Sequence, residues 1–159
     1  MKIIIVSDSH GNSEVLDRIF SEERGMDAVI HLGDGARDLT GHNEYIGRIP
    51  VCSIKGNNDF YCNDAAPRLI TYFDNIKLYA CHGHLLDVKY GLTKLYYTAL
   101  QEECSLALFG HTHIPHKEAI DGVTLFNPGC AYKGYYGVLT TKGDSFEIVH
   151  KSIYSSNNV

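Results

Sequence analysis

The first apolar run, Lys2 to Ser7, is β-branched and stops at the polar stretch Ser7-Asp8-Ser9-His10-Gly11-Asn12, which predicts a strand buried on both faces. The period then changes. Val15, Leu16, Ile19 and Phe20 have helical spacing behind a cap at Asn12 or Ser13, and predict a helix to about Arg24. Ala28 to Leu32 and Val51 to Ile54 are two more short strands, closed by turns at Gly33-Asp34-Gly35 and Gly56-Asn57-Asn58-Asp59. Strand, helix, strand, loop, strand implies a parallel sheet.

Leu69 to Phe73 and Lys77 to Cys81, separated by Asp74-Asn75, predict a hairpin, because Asx residues tolerate the positive φ of a tight turn. Gly91 to Glu103 predicts a helix, and Leu106 to Phe109 a strand ending at Gly110-His111-Thr112-His113. From Lys117 onward apolar and polar residues alternate around Asp121-Gly122 and Lys142-Gly143, the pattern of hairpins, so the second half is expected to be mainly antiparallel. With no Pro- or Ser-rich linker, repeat or low-complexity tract, residues 1–159 are expected to form one domain, frayed only at Ser155 to Val159.

Composition narrows the setting. A chain of 159 residues can bury roughly 70% of its unfolded surface, enough for a good core. Hydrophobic residues at 44% and charged ones at 21% fit a soluble globular protein, with no apolar run of membrane-spanning length. The apolar start is broken by Ser7-Asp8-Ser9-His10 before a signal peptide's apolar region can form. The formal net charge of -5 lacks the positive field of proteins that hold extended nucleic acid, so neither that partner nor a membrane is expected. Cys52, Cys62, Cys81, Cys104 and Cys130 are odd in number and contain no C-x-x-C pair, and they read as reduced, packed thiols in a cytoplasmic protein.

Chemistry enters through position. Each cluster of Asp, His and Asn lies just past the C-terminal end of a predicted strand: Asp8 and His10, Asp34, Asn57 with Asn58 and Asp59, His82 with His84, and His111 with His113. That edge is where loops from several strands converge on a ligand. Carboxylate and imidazole together suit manganese, iron, cobalt, nickel or zinc without needing thiolate. Two such ions about 3.5–4 Å apart polarise a phosphoryl oxygen and clamp the attacking and leaving oxygens of an in-line displacement.

In order, D-x-H at Asp8 and His10, G-D at Gly33-Asp34, G-N-x-D from Gly56 to Asp59, H-G-H from His82 to His84 and G-H-x-H from Gly110 to His113 resemble the calcineurin-like metallophosphoesterase superfamily over essentially the whole chain. Its small bacterial and archaeal phosphodiesterases are the nearest likeness, and Asn127-Pro128-Gly129 is similar to their Asn-Pro-Gly turn. The resemblance implies an α/β fold, a four-layer α/β/β/α sandwich of two mixed sheets with a dimetal site at one sheet edge. It implies that Asp8, His10 and His113 hold a first metal, that Asn57, His82 and His111 hold a second, and that Asp34 bridges both. The cofactors are then two divalent ions, manganese foremost, with nickel, iron, cobalt, zinc or magnesium as substitutes. All seven positions are filled, unlike the degraded ligand sets of scaffold proteins of the same fold such as the small retromer subunit. The implied reaction is hydrolysis of a small phosphodiester by a metal-bridging hydroxide; the alternatives are a phosphomonoesterase acting on a nucleotide or sugar phosphate, and a non-catalytic protein-binding scaffold.

One position departs from the family pattern. Larger members have His at the place of Asn58, paired with the acidic residue matching Asp59, to stabilise or protonate the leaving oxygen. Asn donates a hydrogen bond but surrenders no proton at neutral pH. Beside Asp34, Asn58 and Asp59, His84 is therefore the neighbour expected to assist catalysis. The other histidines read more plainly: His31 as a hydrogen-bonded core residue, His42, His116 and His150 as surface or rim residues, with His116 close enough to touch substrate. Tyr132, Tyr135 and Tyr136 read as sheet packing or as an oligomer interface, which would make a homo-oligomer, with the wall of a base or aryl pocket as the other reading.

Overall fold

In the computed structural model, which describes residues 1–154, the first apolar run divides its side chains between two cores. Ile3 and Ile5 of β1 (Lys2–Val6) face a central core, while Ile4 and Val6 face α1 (Ser13–Glu22) on the opposite side of the sheet. That division follows from the two-residue period of a strand and explains why the run carries no polar alternation. The helix starts where Asn12 accepts the N–H of Val15, and it buries Val15, Leu16, Ile19 and Phe20. The frayed tail expected at Ser155 to Val159 lies outside the described residues.

The remaining elements are β2 (Ala28–His31), α2 (Asn43–Ile46), β3 (Val51–Ser53), β4 (Arg68–Phe73), β5 (Ile76–Cys81), α3 (Thr93–Gln101), β6 (Leu106–Leu108), β7 (His116–Ile120), β8 (Val123–Asn127), β9 (Tyr135–Lys142) and β10 (Ser145–Ser152). They form two five-stranded sheets ordered β10-β9-β1-β2-β3 and β4-β5-β6-β8-β7. Leu78, Ala80, Leu106, Leu108 and Phe126 of the second sheet meet Ile3, Ile5, Ile30 and Leu139 of the first in the central core. The outer face of the second sheet, with Tyr79, Ala107 and Leu125, packs on Leu95 and Ala99 of α3. Three cores between four layers make an α/β/β/α sandwich.

The Asp74-Asn75, Asp121-Gly122 and Lys142-Gly143 turns all join antiparallel neighbours, with Asp74 at φ 51° and Asp121 at φ 44°. The second half is mainly antiparallel, as the alternation implied, with β6 as the exception. β6 runs parallel to both β5 and β8, because α3 returns the chain to the start of β6 and β7 is placed outside β8. A strand of three residues has no alternation from which its direction can be read.

Of the histidines expected at the surface or rim, His42 is inside and His150 is half-buried. His42 is buried against Phe20 and pairs with Asp17 at 2.8 Å, while His150 stacks on Phe126 with ring centroids 4.4 Å apart and bonds the Asn127 carbonyl at 2.7 Å. Of the three tyrosines read as packing, only Tyr136 is buried, its hydroxyl donating to Glu23 at 2.8 Å; Tyr132 and Tyr135 stand exposed. Among the described residues no helix is long and apolar enough to cross a membrane.

Candidate metal centre

The parallel triads β1-β2-β3 and β5-β6-β8 both end at one edge of the sandwich, so the loops after β1, β2, β3, β5 and β6 meet there. Direct bonds tie the two sheets together at this edge: the N–H of His111 donates to Asp8 Oδ2 at 3.1 Å, and His82 Nδ1 donates to the Leu32 carbonyl at 2.8 Å. Among the described residues nine non-glycine residues have positive φ, and five are Asp8, His10, Asp34, His111 and His113. Each such residue carries on the order of 1 kcal/mol of backbone strain, and strain of this kind concentrates at functional sites.

The tightest gathering is Asp8, His10 and His113. His10 Nε2 and His113 Nε2 lie 3.4 Å apart, and they lie 4.0 and 3.1 Å from Asp8 Oδ1. A second group joins Asp8 and Asp34 to His82, whose Nε2 is 3.5 Å from Asp34 Oδ2 and 4.0 Å from Asp8 Oδ1. Asn57 Oδ1 approaches the same His82 nitrogen at 3.1 Å. The His111 ring meets His82 edge to face at 5.0 Å between centroids. Because His82 Nδ1 gives its hydrogen to Leu32, Nε2, which faces Asp34 and Asn57, is the nitrogen that a cation would take in place of a proton, the arrangement in which metal-binding histidines are held by a carbonyl behind them.

A cation fits this donor set. Asp8 and Asp34 are almost wholly buried, and Asp8 Oδ1 has no hydrogen-bond partner among the described residues although His10, His82 and His113 surround it. A buried carboxylate oxygen without a partner is costly to keep unless a cation completes it. The other oxygen, Oδ2, is already held by the Ser7 hydroxyl at 2.5 Å and the His111 N–H.

The electrostatics follow from crowding. Burial pushes the Asp34 carboxyl up, but hydrogen bonds from His82 and Asn58 outweigh it and hold the group well below the usual carboxylate range. For His82 burial favours the neutral ring, and Asp34 and Asp8 overcome it, so its pKa is raised. Burial and the neighbouring His82 push His111 down to about 4 and also lower His84, leaving both imidazoles neutral at pH 7.

The three remaining positions behave differently from one another. Asn58 is exposed, yet its N–H and its side-chain amide both donate to Asp34, at 2.8 and 2.6 Å. Asp59 spends its oxygens on backbone N–H groups, from Asp34 and Gly56 at 2.8 Å, Gly35 at 3.0 Å and Ala36 at 3.1 Å, which outweigh burial and lower its pKa. His84 lies 5.4 Å from the His82 ring and 6.1 Å from that of His111, beside the donor groups but in neither. The Asp34 and Asn57 loops touch so closely that a Cβ on Gly56 would lie 2.2 Å from Asp34 Oδ1, and one on Gly33 would lie 2.7 Å from the Gly56 nitrogen. No residue but glycine fits at either.

The residues that gather at this edge are marked in the sequence, but their supports are not. Ser9 donates to Asp38 at 2.6 Å and bonds His31 Nε2 at 2.8 Å, and Gly11 N–H donates to the same Asp38 oxygen at 2.7 Å, fixing the loop between Asp8 and Asn12. Asn127 donates to the Gly110 carbonyl at 2.8 Å and to Thr112 at 3.1 Å, steadying the His111 loop. The Asn-Pro-Gly turn was a signal for Asn127; nothing local marks Asp38, which lies four residues beyond Asp34 in an ordinary loop.

Residues 1–151 match the family model described as the calcineurin-like phosphoesterase superfamily domain. A probable metallophosphoesterase, YsnB of Bacillus subtilis, is 34% identical over 130 residues, covering 81% of this chain and 74% of that protein. The structure of an archaeal phosphodiesterase superposes with a TM-score of 0.72 at 25% identity, over 95% of this chain and all of that one. Zinc-complexed Vps29 of Entamoeba histolytica superposes with a TM-score of 0.81 over 98% of this chain and 94% of that one, but at 19% identity that likeness is of fold alone. Family model, relative and site geometry agree: the chain belongs to the calcineurin-like phosphoesterase superfamily, a family of metal-dependent phosphoesterases.

Proposed function

We propose that this protein hydrolyses small phosphodiesters at a centre of two divalent cations, manganese foremost, in the cytoplasm. The observation that carries the reading is the convergence of His10, Asp34, His82 and His113 on Asp8, whose buried Oδ1 has no partner among the described residues, with Asn57 and His111 against His82. Asp8, His10 and His113 would hold one cation, Asn57, His82 and His111 the other, and Asp34 both. When bound, such a pair supplies Lewis acidity that polarises a phosphoryl oxygen and lowers the pKa of a water. The protein's own part is positioning. His82 is locked by Leu32, Asp34 by Asn58 and the Asp59-braced loop, and Asp8 by Ser7 and the His111 N–H, so that little reorganisation is left for the reaction.

Diester specificity rests on Asn58 and on the archaeal neighbour. An amide can hydrogen-bond a departing oxygen but cannot protonate it, which suits esters whose leaving group is stable as an anion. The five cysteines are free, in keeping with a reducing compartment. The test uses manganese-loaded protein with bis(p-nitrophenyl) phosphate and p-nitrophenyl phosphate. Faster turnover of the diester is expected, with activity falling at least a hundredfold in Asp34→Ala and His82→Ala. Unchanged activity in both variants would remove this centre from the reaction, and a preference for the monoester would replace the diester reading with a monoesterase.

A further inference from the structure

Beside the ligand loops, a cavity of about 300 Å³ lies under the loop that follows β5. Its walls are Pro67, Arg68, Tyr79, His84, Leu85 and Leu86, and it shares His82 with the metal centre. The volume sits at the lower end of the roughly 300–1,000 Å³ of ligand sites, room for one ring-sized group. The chain makes the cavity by lifting off the sheet: after His82 it turns through a single 3₁₀ turn, His84–Leu86, between the left-handed residues Gly83 and Asp87.

The lining is chemically specific. Tyr79 is buried, and burial pushes its phenol up to about 12, so the floor is neutral. Leu85 is 68% exposed at the mouth, a large apolar side chain that no core uses. Among the described residues Arg68 is the one Arg, Lys, Asp or Glu of the wall, and it is tied to the protein on one side by a loose 3.9 Å pairing with Glu102. An apolar slot with one cation at its rim and imidazole on its inner wall suits a flat ring that carries an acceptor oxygen.

We propose that this cavity is a subsite for an aromatic ester group of the substrate, a nucleobase or aryl ring on the phosphodiester, packed on Leu85 and Leu86 with Arg68 at the ring's edge. The inference rests on the phosphodiesterase reading and narrows it to diesters with at least one aromatic arm. A phosphate held at His82 leaves its ester substituent next to this opening, because His82 belongs to both sites and His84, on the cavity wall, stands beside it.

The test compares two diesters with the same leaving group, bis(p-nitrophenyl) phosphate and methyl p-nitrophenyl phosphate, in manganese-loaded wild type, Leu85→Ala and Arg68→Ala. The ratio of kcat/KM for the aryl over the methyl ester should fall about fivefold in Leu85→Ala, carried by KM, since a lost apolar contact of this size removes about that much binding. A smaller fall in the same direction is expected for Arg68→Ala. Ratios equal to that of the wild type in both variants would overturn the subsite. If the wild type hydrolyses neither ester, the phosphodiesterase reading fails on its own, and binding decides the cavity. Diphenyl phosphate should then shift the Leu85 and Leu86 methyl resonances where dimethyl phosphate does not, and unmoved resonances would overturn it.

Discussion

The carboxylate of Asp59 accepts the backbone N–H of Asp34 at 2.8 Å, so one acidic residue holds in place the loop that presents another. Three further N–H groups, of Gly35, Ala36 and Gly56, end on the same carboxylate. Replacing Asp59 with Ala strands four donors in a half-buried loop junction and is expected to lower stability by about 3 kcal/mol, because charge-assisted hydrogen bonds are the strong ones. Asp59→Asn keeps one oxygen and should lose roughly half as much. Urea titration of metal-free protein measures both losses, and calorimetric manganese titration should show weaker binding in each variant. An Asp59→Ala protein as stable as the wild type would show that the brace carries no weight.

Asp8 illustrates the opposite balance. Its Oδ1 is buried, faces three imidazoles and has no hydrogen bond among the described residues, an arrangement that serves a cation and burdens the protein without one. In Asp8→Asn the retained oxygen can still accept from Ser7 and the His111 N–H, and the new amide can donate to His113. The metal-free variant should therefore be at least as stable as the wild type. Manganese at about a hundred times its Kd should raise the wild-type Tm by about 5–10 °C, and that rise should vanish in the variant. Thermal melts with EDTA and with manganese read both effects, and an equal rise in the two proteins would exclude Asp8 from the cation site.

These two residues mark where the sequence is readable. Asp8, Asp34, His111 and His113 announce themselves because each follows a short apolar strand and sits in or beside a left-handed turn, which is local information. The brace is mostly not local: three of the four N–H groups on Asp59 lie 23 to 25 residues away, and Asp38 is held by Ser9 and Gly11 across the crevice. His42 looks like a surface residue for the same reason, since Asp17, which pairs with it inside, is 25 positions distant. The doubly buried first strand was legible in the unbroken Ile3 to Val6 run and the sandwich came from the family resemblance, whereas the parallel placement of β6 depends on partners that three residues cannot specify.

Asn58 offers a test of how the leaving group departs. Its amide lies against Asp34 at the open side of the centre, where it can turn toward a substrate oxygen but cannot give up a proton. Asn58→His adds a proton donor at that place. Turnover should rise more for an alkyl leaving group, about tenfold, than for p-nitrophenolate, which departs without help. A plot of log kcat against leaving-group pKa should become shallower in the variant. An equal change for all leaving groups would mean that the residue at 58 acts on binding and not on departure.

His31 sets a pH dependence that can be separated from the cations. The Ser9 hydroxyl gives its hydrogen to Asp38, so it accepts from His31 Nε2, and the other ring nitrogen accepts the Gly33 N–H at 3.1 Å. Both positions are filled by the neutral ring, and complete burial pushes its pKa down to about 4. In the unfolded chain the same ring titrates near 6.5. Between those values the unfolded chain binds a proton that the folded one refuses, so stability falls as the pH is lowered from about 6.5 to about 4 and is flat for this group above 6.5. The full effect is about 3 kcal/mol, at most ~1.4 kcal/mol per pH unit. Urea midpoints of wild type and His31→Gln, measured in EDTA from pH 4 to 8, isolate it from the carboxylates that both proteins share. The wild type should be the more stable protein at pH 7.5, where its ring makes both hydrogen bonds, and should lose most of that advantage by pH 4.5. Parallel stability curves would mean that the folded His31 titrates at its ordinary value and that the Ser9–Asp38 network does not hold it neutral.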